Sequence, residues 1–172
     1  MTDDADLLDD YVRRGREASK ASLEAAWLEY ELRAYVLSLL PKRRPLAVCN
    51  AGIWGVWDDW LGHVVGSRIT SVDRDADRCR FLVLRQQREG HPYPAEAICG
   101  DVCADVLGDR RFDIITCMRS VDDEGRTYRA LQRFLAPSGL LLRAEIGRGA
   151  GADRVRTCGD VWLACMTRTC PS

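Results

Sequence analysis

The sequence predicts one α/β domain in which short apolar strands alternate with helices around a mostly parallel sheet. The first indication is the stretch 45–57. An apolar run at 46–49 is followed there by a turn containing Gly52 and by a helical pattern that begins at Trp57. The second indication is the recurrence of apolar runs, separated by helical patterns, at 68–73, 95–99, 111–117 and 135–142. A strand, a glycine turn and a helix bring main-chain N–H groups and a helix N-terminus close to a ligand.

The composition restricts the kind of protein. With 172 residues, of which 47% are hydrophobic, the chain is long enough for one domain with a substantial core. A formal net charge of −1 argues against a nucleic-acid partner, because there is no basic field to attract one. The sequence has no apolar run long enough to predict a membrane span. Its acidic N-terminus has the wrong charge for a signal peptide, so a cytoplasmic location is expected.

The eight cysteines are predicted to be unpaired thiols and not metal ligands. The sequence has no C-x-x-C pair and two histidines, so zinc-ligand spacing is absent and no metal site is expected. Four cysteines lie in predicted strands, where a thiol behaves as a small buried hydrophobe: Cys49, Cys99, Cys117 and Cys165. Cys117, at the end of the fourth strand, is left open as a catalytic thiolate.

Residues 1–44 are predicted to be a helical segment that precedes the ligand-binding residues 45–172 within one compact domain. Residues 1–17 are expected to be either a loose helix or disordered. A stronger helix is expected from about 19 to 40, because apolar side chains recur there at intervals of four and three residues. They are Leu23, Trp27, Tyr30, Ala34 and Leu37.

The helix predicted from about 56 to 65 carries Asp58 and Asp59 in its first turn, where both complement the positive end of the helix dipole. Trp57 and Trp60 share a helix face and are expected to pack in the core. Trp54 precedes this helix and is predicted to face the ligand cleft.

The remaining elements follow from stop signals and apolar periodicity. Helices are predicted from 75 to 89, where Gly90 ends the pattern, and from 126 to 135. Residues 153–158 and 161–167 are predicted to form a closing hairpin.

Taken in order, these residues resemble the class I (Rossmann-like) S-adenosylmethionine-dependent methyltransferases over about residues 45–145. The resemblance is carried by the Gly52 turn, Ser-Val-Asp73, Gly-Asp101-Val, Phe-Asp113-Ile-Ile and Leu-Ala-Pro-Ser-Gly139-Leu-Leu. Asp73 follows Gly52 by 21 positions, close to the ~20 expected for a carboxylate that accepts from ribose hydroxyls. The resemblance implies a Rossmann-like methyltransferase fold with a seven-stranded, mostly parallel sheet in the order 3-2-1-4-5-7-6.

The glycine turn departs from the family pattern. Family members usually place an acid two residues before the first glycine, and here that position is Val48. The first glycine of the usual triplet is Asn50, which tolerates a left-handed backbone, and the third is Trp54. Either the pocket is reshaped or the cofactor is held in a different way.

The resemblance implies S-adenosylmethionine as cofactor, bound where the loops after the strands converge. The residues implied to bind it are Asn50, Ala51, Gly52, Ile53, Trp54, Asp73, Arg74, Gly100, Asp101, Val102 and Cys117. Gly52 is expected to support the methionine part, Asp73 the ribose hydroxyls, and Asp101 with Val102 the adenine. Helix capping is the alternative for Asp73, and ordinary turn chemistry is the alternative for Asp101.

Two residues are candidates for catalysis. Arg119 could orient a substrate carboxylate, or it could be an exposed surface residue. His63 could be a general base if the acceptor is protonated, and His91 is the only other histidine.

The expected function is methyl transfer to a small molecule, with specialised metabolism as a candidate setting. The substrate class follows from the lack of a basic stripe and of an Asn/Asp-Pro-Pro-Tyr segment, which related enzymes acting on bases or protein amides often carry. One alternative is an enzyme that cyclises or cleaves the cofactor. Another is a catalytically silent subunit that binds a partner. A homodimer is left open.

Overall fold

The computed structural model describes residues 3–20, 30, 33–42, 45–53, 57–118, 126–146, 154–158 and 161–167. The helices are α1 (Asp4–Lys20), α2 (residues 33–39), α3 (Trp57–Val65), α4 (Ala76–Glu89) and α5 (Arg126–Gln132), with a short 3₁₀ turn at Val102–Ala104. The strands are β1 (Val48–Ala51), β2 (Thr70–Asp73), β3 (Glu96–Cys99), β4 (Phe112–Met118), β5 (Leu135–Ile146), β6 (Arg154–Cys158) and β7 (Val161–Thr167).

Within these described ranges the strands form one sheet in the order β3-β2-β1-β4-β5-β7-β6. The first five are mutually parallel, β7 pairs antiparallel with β5, and β6 pairs antiparallel with β7. The prediction of an α/β, Rossmann-like architecture is confirmed. Because β1 lies between β2 and β4, the chain reverses its direction of travel across the sheet at this strand. A crevice therefore opens at the carboxyl ends of β1 and β4.

The sheet separates two hydrophobic clusters, and the alternation of side chains along β1 shows the division. Val48 packs with Trp57 of α3 and Leu82 of α4 on one face. Its neighbour Cys49 packs with Leu131 of α5 on the other face. A strand covered on both sides is buried along its whole length, and every residue of β1 is buried.

The N-terminal segment is more ordered than expected over its first part. Helix α1 is regular and lies on α4, where Leu7 and Leu8 pack against Phe81. Further along, the buried face of α2 differs from the predicted stripe. Val36 is fully buried and Leu37 is 51% exposed, because the side that packs in the core cluster with Leu46 and Trp57 is offset from the predicted one.

The rest of the predicted stripe can be checked at two positions, of which Ala34 is half-buried. Tyr30 is 63% exposed. Leu23 and Trp27 lie outside the described residues. Among the helices that the structure does describe, none combines the length and the apolar character needed to cross a membrane.

Candidate functional site

The turn after β1 has a backbone conformation that glycine adopts more readily than other residues. Gly52 has φ 89°, in the left-handed region that favours glycine. Its N–H donates to the carbonyl oxygen of Val72 at 2.8 Å, so the turn is attached to the end of β2. The main chain at this turn therefore lies at the carboxyl edge of the sheet, without a Cβ to obstruct a ligand.

Asp73, the last residue of β2, joins the two loops that leave β1 and β2. Its Oδ2 accepts from the N–H of Ile53 at 2.9 Å, and its Oδ1 accepts from the N–H of Asp75 at 2.9 Å. The Arg78 guanidinium lies 3.5 Å from Oδ2, and the Asp73 side chain is 10% exposed. Helix capping does not explain this residue, since the N-cap of α4 is Asp75.

Each oxygen of the Asp73 carboxylate holds one main-chain N–H, and an ionised oxygen has capacity for a second donor. A vicinal diol brings two hydroxyl donors with a spacing that suits one carboxylate. The chemistry of this position therefore fits a ribose, in a place where the neighbouring main chain already fixes the orientation of the carboxylate.

The loop after β3 carries a second carboxylate and is bonded to the end of β2. The N–H of Gly100 donates to the carbonyl oxygen of Asp73 at 2.9 Å. Asp101 accepts from the N–H of Cys103 at 2.8 Å, a bond that, helped by the charges of Arg74 and Arg126, holds the pKa of Asp101 below its ordinary value. Asp101 is 33% exposed, with Arg74 3.9 Å away, so it can accept from a ligand amino group. Its main-chain bond is also the turn chemistry that the sequence allowed.

Asn50 does not have the role that the sequence assigned to it. It is a strand residue of β1 without the positive φ of a glycine substitute, and its side chain is fully buried on the side of α3. Its amide nitrogen donates to Asp58 Oδ1 at 2.8 Å and to the carbonyl oxygen of Gly52 at 3.0 Å. Its amide oxygen accepts from the Thr116 hydroxyl at 2.8 Å. The Asn50 side chain therefore supports the turn from beneath.

Several predicted binding residues have side chains in the core. Ala51, Ile53, Val102 and Cys117 are all buried, so only their main chain is near the carboxyl edge. Cys117 packs in the cluster that includes Ile115, which places its thiol inside the sheet layer and not at the mouth of the crevice. This burial argues against Cys117 as a catalytic thiolate.

His63 lies away from the crevice. It is in the last turn of α3, and its ring stands 4.7 Å from His91 and 6.2 Å from Tyr93 between centroids. His91 and Tyr93 lead into the amino end of β3, whereas the candidate site is at the carboxyl ends. The prediction that His63 is the general base is therefore wrong, because His63 lies at the opposite end of the sheet from the candidate site. Trp54 and Arg119 lie outside the described residues.

The cysteine prediction also needs one correction. Cys49 and Cys117 are buried as predicted, and Cys79 is buried too, but Cys99 is exposed. The side chain of Cys165 lies outside the described part of the structure. The reason is its place in the fold, since β3 is an edge strand and Cys99 is its last residue. The Cys99 thiol lies 3.9 Å from the carbonyl oxygen of Arg74.

The residue that the sequence interpretation missed is Asp58. Its position in the first turn of α3 suggested only an interaction with the helix dipole, yet the side chain is fully buried. A signal was available in the strands. Asn50, Ser71 and Thr116 are polar residues within apolar runs, and the register pairs Asn50 with both of the others. Three polar side chains in one row across a sheet require a polar partner on the helix above them.

Comparison with known proteins identifies the fold. No protein-family model matches the chain, and no curated protein matches it. Among solved structures, a mutant of MtNAS, a nicotianamine synthase, in complex with S-adenosylmethionine is similar, with 17% identity and a TM-score of 0.65. That match covers 83% of this chain and 62% of the other. The chain therefore spans less than two thirds of the length of MtNAS.

Two further structures show that the fold serves different reactions. The ribosomal protein L11 methylase from Lactobacillus delbrueckii subsp. bulgaricus is 14% identical, with a TM-score of 0.63, over 81% of this chain and 78% of the other. The [4+2]-cyclase SpnF is 20% identical, with a TM-score of 0.53, over 70% and 48% of the two chains. MtNAS has also been crystallised with MTA and tNA. The chain has the fold of the class I S-adenosylmethionine-dependent methyltransferases.

Proposed function

We propose that this protein is an S-adenosylmethionine-dependent methyltransferase that acts on a small molecule. The observation that carries the proposal is the bond between the N–H of Ile53 and the carboxylate of Asp73, directly after the Gly52 turn. It sets a glycine turn and a carboxylate side by side at the switch point of the sheet, where this class of fold binds nucleosides. The similarity to MtNAS in complex with S-adenosylmethionine supports this assignment.

Each part of the cofactor has a matching group. Asp73 would accept from the ribose hydroxyls, and Asp101, with its partly exposed carboxylate, would accept from the adenine amino group. The main chain at Gly52 would lie against the methionine part. When bound, S-adenosylmethionine supplies a methyl group activated by its sulfonium. The residues of this chain then have to hold it in line with an acceptor and exclude water.

The small-molecule part of the proposal rests on charge and sequence. The net charge of −1 provides no field for nucleic acid, and the sequence lacks the Asn/Asp-Pro-Pro-Tyr segment. A protein substrate is the competing outcome, since the L11 methylase shares the fold. The two outcomes differ in where the transferred methyl group is found.

A second candidate uses the same cofactor without methyl transfer. Val48 stands where an acid is usual, and the similar structures include MtNAS with MTA and tNA as well as a cyclase. Transfer of the aminocarboxypropyl arm would leave methylthioadenosine, whereas methyl transfer leaves S-adenosylhomocysteine. The nucleoside product therefore separates the two reactions.

Isothermal titration of the full chain with S-adenosylmethionine, S-adenosylhomocysteine and NAD tests the binding step. Binding of the first two without NAD supports the proposal, and binding of NAD alone overturns it. Incubation with methyl-labelled cofactor and a cell extract tests the reaction. Label in low-molecular-mass compounds supports a small-molecule acceptor, and label in protein or nucleic acid overturns it. Methylthioadenosine as the sole nucleoside product would favour the second candidate.

A further inference from the structure

A buried carboxylate lies directly beneath the Gly52 turn. Asp58 of α3 is fully buried, and its Oδ1 accepts from the amide of Asn50 at 2.8 Å and from the hydroxyl of Ser71. Burying a carboxylate is costly unless hydrogen bonds and favourable dipoles compensate. Two donated hydrogens and the positive end of α3 together favour the ionised form.

A chain of three hydrogen bonds ends at Asp58, and in each of them the donor lies on the side away from Asp58. The indole N–H of Trp57 donates to Thr116 at 3.4 Å, and the Thr116 hydroxyl donates to Asn50 at 2.8 Å. Asn50 in turn donates to Asp58. Bonds aligned in this way polarise one another toward the acceptor at the end of the chain. Together with Ser71, the network joins β1, β2, β4 and α3, and the carboxylate is its terminus.

The network reaches the surface of the crevice through Gly52. The same Asn50 nitrogen that binds Asp58 at 2.8 Å binds the Gly52 carbonyl oxygen at 3.0 Å. The Asp58 oxygen and the Gly52 carbonyl oxygen therefore lie no more than 5.8 Å apart. A negative charge is thus held just under the turn, in a buried layer that screens it more weakly than water does.

We propose that Asp58 is a charge-specificity and positioning residue, which fixes the Gly52 turn through Asn50 and favours a cationic sulfonium ligand over its neutral thioether product. This inference rests on the proposed function. When methyl transfer or cleavage removes the sulfonium charge, the affinity of the site for the product therefore falls. The negative charge is supplied by the first turn of α3.

Titration of wild type and Asp58→Asn with S-adenosylmethionine and with S-adenosylhomocysteine tests the proposal. A unit charge about 10 Å from a cation changes its binding roughly tenfold or more at an effective dielectric constant of about 20. We therefore expect Asp58→Asn to lower the preference for S-adenosylmethionine over S-adenosylhomocysteine by about tenfold. Equal weakening of both ligands, within about twofold, would reduce Asp58 to a purely structural role and overturn the proposal.

Asp59→Asn is the matched control. It removes the same charge from the next residue of α3, but Asp59 faces Arg85 and Gln86, away from the turn. Its ligand preference should equal that of wild type even if its stability falls. The exchange variant Asn50→Asp with Asp58→Asn returns a charge to the network and should restore the preference.

Wild type provides a test that does not depend on how the variants fold. An analogue with a titratable tertiary amine in place of the sulfonium should bind with uptake of a proton, at a pH above the pKa of the free amine. Calorimetry in two buffers of different ionisation enthalpy measures this uptake. Binding without proton uptake overturns the role of Asp58, whereas a wild type that binds none of these nucleosides overturns the proposed function and this inference together.

Discussion

The main-chain N–H of Ile53 donates a hydrogen bond of 2.9 Å to Oδ2 of Asp73, across two neighbouring strands of the sheet. The other carboxylate oxygen holds the N–H of Asp75. Asp73 therefore shapes both loops before any ligand arrives. Its loss should affect the conformation of the turn as well as the contact with a ribose, and the two effects can be separated.

Asp73→Ala should weaken S-adenosylmethionine binding by roughly 1.5–3 kcal/mol, the range for hydrogen bonds to a charged group. It should also lower the free energy of unfolding by about 1–3 kcal/mol, because two main-chain donors lose their acceptor. Asp73→Asn keeps one acceptor oxygen and should fall between Asp73→Ala and wild type. Calorimetry and urea unfolding measure the two quantities.

Asp75→Ala is the control for Asp73→Ala. The Asp75 side chain is the N-cap of α4 and accepts from the main-chain N–H groups of Asp77 and Arg78. Its removal should lower the free energy of unfolding by about 1 kcal/mol. The affinity of this variant for S-adenosylmethionine should stay close to that of wild type. If Asp73→Ala folds and binds as tightly as Asp75→Ala, the ribose does not lie at Asp73.

Trp57 and Trp60 share a face of α3 but differ in burial. Trp57 is fully buried, and Trp60 is half-buried, with its ring 4.8 Å from that of Trp57 and the Arg33 guanidinium 5.4 Å from its centre. Trp57→Ala should lower the free energy of unfolding by about 3–5 kcal/mol, and Trp60→Ala by about 1–2 kcal/mol. Urea unfolding measures both, and an equal loss in the two variants would contradict this burial difference.

The fold could be predicted from the sequence because its signals are local. Each parallel strand is a short apolar run, and the turns between strands and helices carry their own residues, such as Gly52 after β1 and Asp75 before α4. The buried face of α2 could not be predicted in the same way. Val36 and Leu37 are both apolar, and the position of the core cluster around Leu46 and Trp57 decides which of them is covered.

The site could be predicted from the sequence less completely than the fold, because it depends on contacts between residues that are distant in the chain. The position of Asp73 could be predicted from its spacing after Gly52, but its bond to Ile53 could not. Asp58 could not be distinguished from Asp59 by sequence. One is drawn into the sheet by Asn50, and the other pairs with Arg85. Helix position alone does not show which way a side chain turns.

The thiols should differ in reactivity in the folded protein. Cys99 is exposed, whereas burial raises the pKa of Cys79 to about 12 and raises that of Cys49 further. Among the cysteines whose side chains the structure describes, a thiol-modifying reagent at about pH 8 should label Cys99 first, with Cys49 labelled only on unfolding. Peptide mapping by mass spectrometry locates the label and follows each of these cysteines separately.

The intact mass of the same protein under non-reducing conditions should show no loss of hydrogens from disulfide formation. Metal analysis should find no stoichiometric zinc, since the cysteine spacing does not fit a zinc site. Fast labelling at Cys49 in the folded state would contradict the burial of β1.

The Glu96–Arg110 ion pair should make stability depend on pH. Arg110 donates two hydrogen bonds to Glu96, of 2.8 Å and 2.9 Å, and they hold the pKa of Glu96 below its ordinary value. Stability from a carboxyl whose pKa is depressed by folding is present above its unfolded pKa and is lost as the pH falls through its folded pKa. Glu96→Gln should therefore be less stable than wild type by about 0.5–1 kcal/mol at neutral pH.

This difference should shrink as the pH falls below the ordinary glutamate pKa of about 4.3, and it should vanish below the depressed pKa of the folded protein, where the wild-type carboxyl is also protonated. Urea unfolding of both proteins between neutral and acidic pH measures it. Asp109→Asn, a change of an exposed acid close to Arg110, should show no such pH-dependent difference. A Glu96→Gln defect that is as large in acid as at neutral pH would mean that the pair contributes through packing and not through charge.

Gly100, beside Asp101, should tolerate no side chain while Val106 faces it. A Cβ at Gly100 would lie 2.5 Å from Cγ1 of Val106, and a β-branched side chain has little freedom to rotate away. Gly100→Ala should cost about 1–3 kcal/mol of stability, and adding Val106→Ala should recover part of that loss. Urea unfolding of the two single variants and the double variant measures the coupling. Strict additivity would show that the clash is relieved elsewhere. A recovered fold with weak S-adenosylmethionine binding would show instead that Val106 keeps the Asp101 loop in its ligand-binding position.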